Sequence, residues 1–292
     1  MPYCRPVRVP FRLVDVFTER PLAGNQLCVV PETPFSLDPT MMQSLAREVG
    51  FSETTFVTEA GGDRYRMRIF TPARELPFAG HPTLGTAFVL VSEGRVASPA
   101  SQEVAGGVFR IDVDVEKAFA WMQQLPPEFG AVLTDTQRVA RAAGLDPGDL
   151  HPELPVQVVF TGLRQLIVPA RSEGAVSRAA PDPRILAPLV EEAEADGFYL
   201  FASTSEGARA RFFGPGVGVD EDAATGSAAG PLGAYLAHHG LARGSLLIRQ
   251  GEEMGRPSEL HLHVEGDGGS WSVRVGGGVR MVGKGEFELP DP

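Results

Sequence analysis

The strongest constraint on this chain is a long internal duplication. Arg68-Ile-Phe70-Thr-Pro72 runs into Phe78-Ala-Gly80-His81-Pro82-Thr83-Leu-Gly85, and Arg211-Phe-Phe213-Gly-Pro215 runs into Asp222-Ala-Ala-Thr225-Gly226-Ser227. Each copy is a strand pattern that meets the small-residue start of an apolar helix. Such a start leaves several backbone N–H groups without an internal acceptor, where an anion can be held. The flanking segments repeat in the same order. Gly24 to Pro31 is echoed by Gly162 to Pro169, and a helix opened by Asp38-Pro39 and closed by Gly50 is echoed by one opened by Asp182-Pro183 and closed by Gly197. The repeat is too long for a solenoid period. It predicts an α+β fold of two pseudo-symmetric domains, each a mostly antiparallel sheet wrapped round a central helix.

At 292 residues the chain is long enough for two cores of ordinary size. The lobes are placed at 1–122, which the closing strand 280–292 can rejoin, and at 123–279, with the active site expected in the cleft between them. Pro126 and Pro127 break the strand signal at the boundary. In the first lobe, Asp38 can cap a helix whose apolar face is Met41, Met42, Leu45 and Val49. The two central helices are placed at Thr83–Glu93 and Gly226–His239, and residues 96–105 and 171–183 read as surface loops.

A formal net charge of −11 argues against nucleic acid or an anionic membrane as partner. No run is long enough for a membrane span, and the N-terminus lacks the apolar core of a signal peptide, so a cytoplasmic setting is expected. Cys4 and Cys28 are too few for a disulfide framework or a structural zinc site, and Cys28, within an apolar run, reads as a small buried hydrophobe. His261 and His263 share a strand face but find no third ligand nearby, so no metal is expected. His238 and His239 suit a helix C-terminus, where imidazolium complements the dipole. Neither the glycines near Gly214 nor those near Gly226 carry a nucleotide-binding pattern, and no nucleophile elbow is present.

Four residues remain as candidates. Glu53, flanked by Phe51 and Phe56, follows Gly50 by three positions; three positions past Gly197 stands Leu200, so the carboxylate belongs to one half alone. A carboxyl in such company loses hydration, which suits a group that takes and returns a proton near neutrality. Taken alone, it reads equally as a solvated glutamate or an arginine partner. Asp222 either caps the helix that follows or orients a substrate amine or hydroxyl, and the two roles can coexist. His81, at a helix start that disfavours its cation, can serve as a neutral donor or acceptor. Ser227, with the N–H groups of Gly226 and itself, can clamp a carboxylate.

With these residues in view, the chain resembles the PhzF-like phenazine-biosynthesis family and, more distantly, the diaminopimelate epimerase fold group. The resemblance runs through Val14-Asp15-Val16-Phe17 with Gly24-Asn25, Ser52-Glu53-Thr54, Phe78 to Thr83, Asp222 to Ala228, Gln250-Gly251 and Arg256-Pro257-Ser258. It implies barrel-like sheets, no cofactor, a small carboxylic acid as substrate and a homodimer. It also implies Glu53 as general acid and base, His81 and Asp222 as its catalytic partners and Ser227 as a carboxylate-binding serine; Ser52, Gly80 and Gly226 are expected to bind substrate beside them. The family's characterised reaction is isomerisation of a dihydro-hydroxyanthranilate by a proton shift. One departure is Ala223, where many members carry proline. The epimerases of the fold group use one thiol in each domain, and neither helix start here has a cysteine. A single-carboxyl isomerase is therefore expected, with a non-catalytic binding protein or a two-base racemase as alternatives.

Overall fold

The computed structural model describes residues 7–267 and 270–289, so Cys4 lies outside the described residues. They divide into two compact units, one running to Met122 and resuming at Gly277, the other Gln123–Gly276. The first holds β1 (Val7–Val16), β2 (Asn25–Val30), α1 (Pro39–Val49), β3 (Glu53–Gly61), β4 (Arg64–Phe70), β5 (Glu75–Leu76), α2 (Gly80–Ser92), β6 (Ala100–Val104), β7 (Gly107–Asp114) and β8 (Phe119–Gln123). The second holds β9 (Glu128–Leu133), α3 (Thr136–Ala142), β10 (Val156–Phe160), β11 (Arg164–Pro169), α4 (Glu173–Arg178), α5 (Pro183–Glu192), β12 (Gly197–Ser203), β13 (Gly207–Gly214), β14 (Val219–Asp222), α6 (Gly226–His238), β15 (Gly244–Gln250) and β16 (Ser258–Asp267). The last strand, β17 (Ser270–Leu289), contributes residues to both units.

Strand order is the same in the two. In the first unit it is β17-β1-β2-β3-β4-β6-β7-β8, with β5 also on β4. In the second it is β9-β10-β11-β12-β13-β15-β16-β17, with β14 also on β13. In each, two pairings are parallel, β2 with β3 and β4 with β6, or β11 with β12 and β13 with β15. The rest are antiparallel, so the fold is α+β with barrel-like sheets.

The central helices explain that wrapping. Every residue from Gly80 to Leu90 in α2 and from Gly226 to Ala237 in α6 is buried. A helix without a solvated face must be enclosed. α2 packs on β1, β2, β3, β6 and β7, and α6 on β10, β11 and β16. Small residues permit the approach: a Cβ on Gly85 would lie 2.6 Å from the Leu27 side chain, and one on Gly233 would lie 2.5 Å from that of Leu262. The outer helix α1 is amphipathic, burying Met42, Leu45 and Ala46 against Val9, Val30, Phe56 and Phe70. Asp38 caps it at Met41 N (2.8 Å), and Gly50 ends it in the left-handed region at φ 69°.

Four sequence expectations are corrected. α2 starts at Gly80 rather than Thr83, because Pro82 falls in the first turn, where its missing N–H has no helical acceptor to lose. α5 stops at Glu192, and Gly197 opens β12 instead of closing a helix. Residues 96–105 contain strand β6, and 171–183 contain helix α4, capped by Ser172.

The register also revises the repeat. Cys28 pairs with Thr54 and Thr54 with Phe70; Leu166 pairs with Phe198 and Phe198 with Phe213. Anchored on the two Arg-x-Phe-x-Pro copies, Thr54 corresponds to Phe198, so the counterpart of Glu53 is Gly197 and not Leu200. The space is filled there, since a Cβ on Gly197 would lie 2.3 Å from the Phe212 ring. Ile69 pairs with Leu76 and Phe212 with Asp222, so Asp222 in turn replaces a leucine.

Candidate active site

β2 and β3 run parallel, with Leu27 beside Glu53, so their leading ends come to one edge of the first sheet. There Glu53 is 8% exposed, Asn25 4% and His81 2%. His81, second residue of α2, places Nε2 3.3 Å from Glu53 Oε2, a contact that falls outside hydrogen-bond geometry. Ser52 Oγ donates to Asn25 Oδ1 at 3.0 Å. Asn25 Nδ2 lies 3.1 Å from His81 Nδ1. With Nδ1 turned to Asn25, Nε2 is the ring nitrogen that faces the carboxyl of Glu53. Gly80, the residue before His81, starts the helix, and its N-cap Ala79 offers no side-chain acceptor to the first N–H groups.

Burial pushes the His81 pKa down to about 3, against a backbone hydrogen bond with Gln26 that pulls it up. Lost hydration is thus the cause of the lowering, in place of the helix terminus expected from the sequence. The imidazole is neutral at neutral pH. Its folded value lies below the ordinary 6.5, so between those two values the unfolded chain binds the extra proton. The contribution to stability is complete above about pH 6.5 and declines as pH falls through that window. Replacing His81 by Gln is expected to flatten the pH dependence of unfolding free energy there by up to about 1.4 kcal/mol per pH unit. Equal slopes in the two proteins, measured by denaturant unfolding, would mean that His81 protonates in the folded chain.

In the second unit Asp222 ends β14, and Gly226 starts α6, with Ser227 next. Asp222 is 7% exposed and Ser227 6%. The carboxylate of Asp222 accepts from Thr225 Oγ1 at 2.6 Å. The N-cap of α6 is Thr225, which makes no side-chain capping bond. Gln250 Nε2 donates to the Asp222 carbonyl (2.8 Å) and to Thr225 Oγ1 (3.1 Å), while Gln250 Oε1 accepts from Tyr199 OH (2.9 Å). Burial and then the negative charge of Asp222 raise the Tyr199 pKa, which keeps its proton available for that bond.

The remaining candidates separate from these groups. Cys28 is buried and its pKa pushed up to about 12, so it is an inert hydrophobe. His263 pairs with Glu265 at 2.8 Å. His239 has its pKa lowered by burial and by neighbouring His238, contrary to the imidazolium expected at that helix end. The arginines of the repeat are structural: Arg68 is paired with Glu75 and Arg211 with Glu221, and each lies over the phenylalanine two residues on. No helix of the described residues is long and apolar enough to cross a membrane.

The family model for phenazine biosynthesis-like proteins matches residues 14–285. The chain belongs to that family. It is 37% identical over 283 residues to the trans-2,3-dihydro-3-hydroxyanthranilate isomerase of Pseudomonas aeruginosa, covering 95% of this chain and 98% of that one. A PhzF-family crystal structure from Bacillus anthracis superposes with a TM-score of 0.84 at 27% identity, over 97% of this chain and 100% of the other. A hydroxyproline epimerase from Agrobacterium vitis, at 14% identity and TM-score 0.62 over 98% and 94% of the two chains, shares the fold alone. The protein is an isomerase of the PhzF family.

Sequence reasoning gave no role to Asn25, Tyr199, Thr225 or Gln250. Asn25 and Gln250 stood within the motifs that carry the family resemblance, a signal without a role. Tyr199 carried no signal, because its partner Gln250 lies 51 residues away.

Proposed function

We propose that this isomerase moves a proton between carbons of a small carboxylic acid, cyclic and amino- or hydroxy-substituted, with Glu53 as the single acid and base. The observation that carries the reading is the buried group Asn25, His81 and Glu53, with half-buried Ser52 bonded to Asn25. It sets the Nε2 edge of a neutral imidazole 3.3 Å from a carboxyl almost removed from water. A carboxyl so placed can remove a carbon-bound proton and return it elsewhere, with the neutral imidazole holding its orientation. In the unit that carries Glu53, the uncapped N–H groups at Gly80 suit developing negative charge; in the other unit, those at Gly226–Ser227 suit a carboxylate and Asp222 suits an amino or hydroxyl group. Gly197 in place of a second glutamate disfavours the two-base racemase, whose second base the repeat does not supply.

The test is NMR in heavy water on a panel of small cyclic amino and hydroxy acids, headed by the dihydro-hydroxyanthranilate that the Pseudomonas relative is named for. One member is expected to show exchange or migration of a carbon-bound hydrogen. Binding across the panel without either change would leave a non-catalytic binding protein as the better account. A homodimer is part of the same proposal and is checked by light scattering.

A further inference from the structure

We infer that Thr225 is a positioning residue for Asp222, its hydroxyl aimed by Gln250 and Tyr199, and that the carboxylate so held accepts a hydrogen bond from a substrate amino or hydroxyl group. The ligand's chemistry rests on the reading above; the geometry does not. Two main-chain groups orient the Gln250 amide. The Thr225 backbone N–H donates to Oε1 at 3.3 Å, and the Asp222 carbonyl accepts from Nε2 at 2.8 Å. A reversed amide would set donor against donor and acceptor against acceptor. Tyr199 OH then donates to the same Oε1 at 2.9 Å, because that oxygen has no proton to give. Gln250 Nε2 also donates to Thr225 Oγ1 at 3.1 Å, and the threonine's own proton runs on to Asp222 Oδ2 at 2.6 Å. From Tyr199 to Asp222 the chain is buried, at 0%, 1%, 7% and 7% exposure. In such surroundings a misdirected polar group is costly and a correctly directed one is strong.

The first unit contains a comparable trio with a different end. Tyr65 OH donates to Gln102 Oε1 at 2.7 Å, Gln102 Nε2 donates to Thr83 Oγ1 at 2.9 Å, and Thr83 Oγ1 donates to the Ala79 carbonyl at 2.8 Å. There the last proton is absorbed by the helix main chain. The two trios are not positional copies, since the alignment of Leu76 with Asp222 sets Thr225 opposite Ala79; in the second unit the threonine proton reaches a carboxylate. The same three residue types thus brace a helix start in one unit and aim an acidic acceptor in the other.

The test compares binding of anthranilate and benzoate, two ring acids that differ by an amino group, by calorimetry. The protein is expected to prefer anthranilate at least about tenfold, the effect of one hydrogen bond to a charged acceptor. Thr225→Val should shrink that preference to within about threefold, and Thr225→Ser, which restores the hydroxyl, should recover it. Tyr199→Phe should move the ratio in the same direction as Thr225→Val and serves if the valine variant fails to fold. Thr83→Val should lower the melting temperature and leave the ratio unchanged. An unaltered preference in Thr225→Val and Tyr199→Phe, or no preference in the parent protein, would overturn the inference. Failure of the parent to bind either acid would overturn the functional reading beneath it.

Discussion

Glu53→Gln is expected to lower kcat by about 10²–10⁴, the usual contribution of a positioned acid or base, while KM changes only a few-fold. The substitution keeps the volume of a side chain that is 8% exposed, and an amide oxygen can still face His81 Nε2. What is lost is the ability to carry a proton. Deuterium uptake from heavy water should vanish with turnover. Glu53→Asp makes the complementary point: it keeps the carboxyl but withdraws it by one methylene, and a displacement of about 1 Å costs on the order of 10²-fold in rate. A glutamine variant with undiminished turnover would remove Glu53 from the chemistry and leave its burial unexplained.

Glu221→Ala is expected to destabilise the protein by about 3–5 kcal/mol, the cost of a guanidinium left without its partner in the interior. Arg211 and Glu221 are 8% and 20% exposed at their side chains, joined by two hydrogen bonds of 2.7 and 2.8 Å. Arg211 Nη1 also donates to the carbonyls of Val176 and Ala179, at 3.2 and 2.7 Å, and is held in place when the carboxylate is gone. The repeat supplies an internal control. Arg68 and Glu75 are joined in the same way but are 30% and 39% exposed, so water can replace the lost partner. Glu75→Ala should therefore cost no more than about 1 kcal/mol. Denaturant unfolding of the two variants separates the cases, and equal losses would show that burial is not what distinguishes the pairs.

The fold was largely legible because its signals are local. Asp38, Pro39 and Gly50 mark the ends of α1 within twelve residues of one another, and capping is decided by the backbone next to it. The low polarity of Gly80–Leu90 and Gly226–Ala237 on every side announced enclosed helices. The end of α5 was misread because Gly197 looks like a helix stop, whereas its size is needed to clear the Phe212 ring. Strand β6 was missed because the Ala- and Ser-rich sequence around it reads as loop, while its pairing with β4 is decided by residues far away in the chain.

For the site, the residue types were legible and their partners were not. Glu53, His81, Asp222 and Ser227 stood out from their chemistry and from the uneven halves of the repeat. The bonds that orient them span long separations: 56 residues for Asn25 and His81, 27 for Ser52 and Asn25, and 25 for Gln250 and Thr225. The sequence by itself determined that there are two copies of one plan, where the second central helix begins, and which half carries the glutamate. Only the tertiary structure decided that Gly197 is that glutamate's counterpart, that His81 is neutral because it is dry, and that Asp222 takes its proton contact from Thr225. Pattern and capping are read within a few residues, whereas strand register and burial arise only when distant segments are brought side by side.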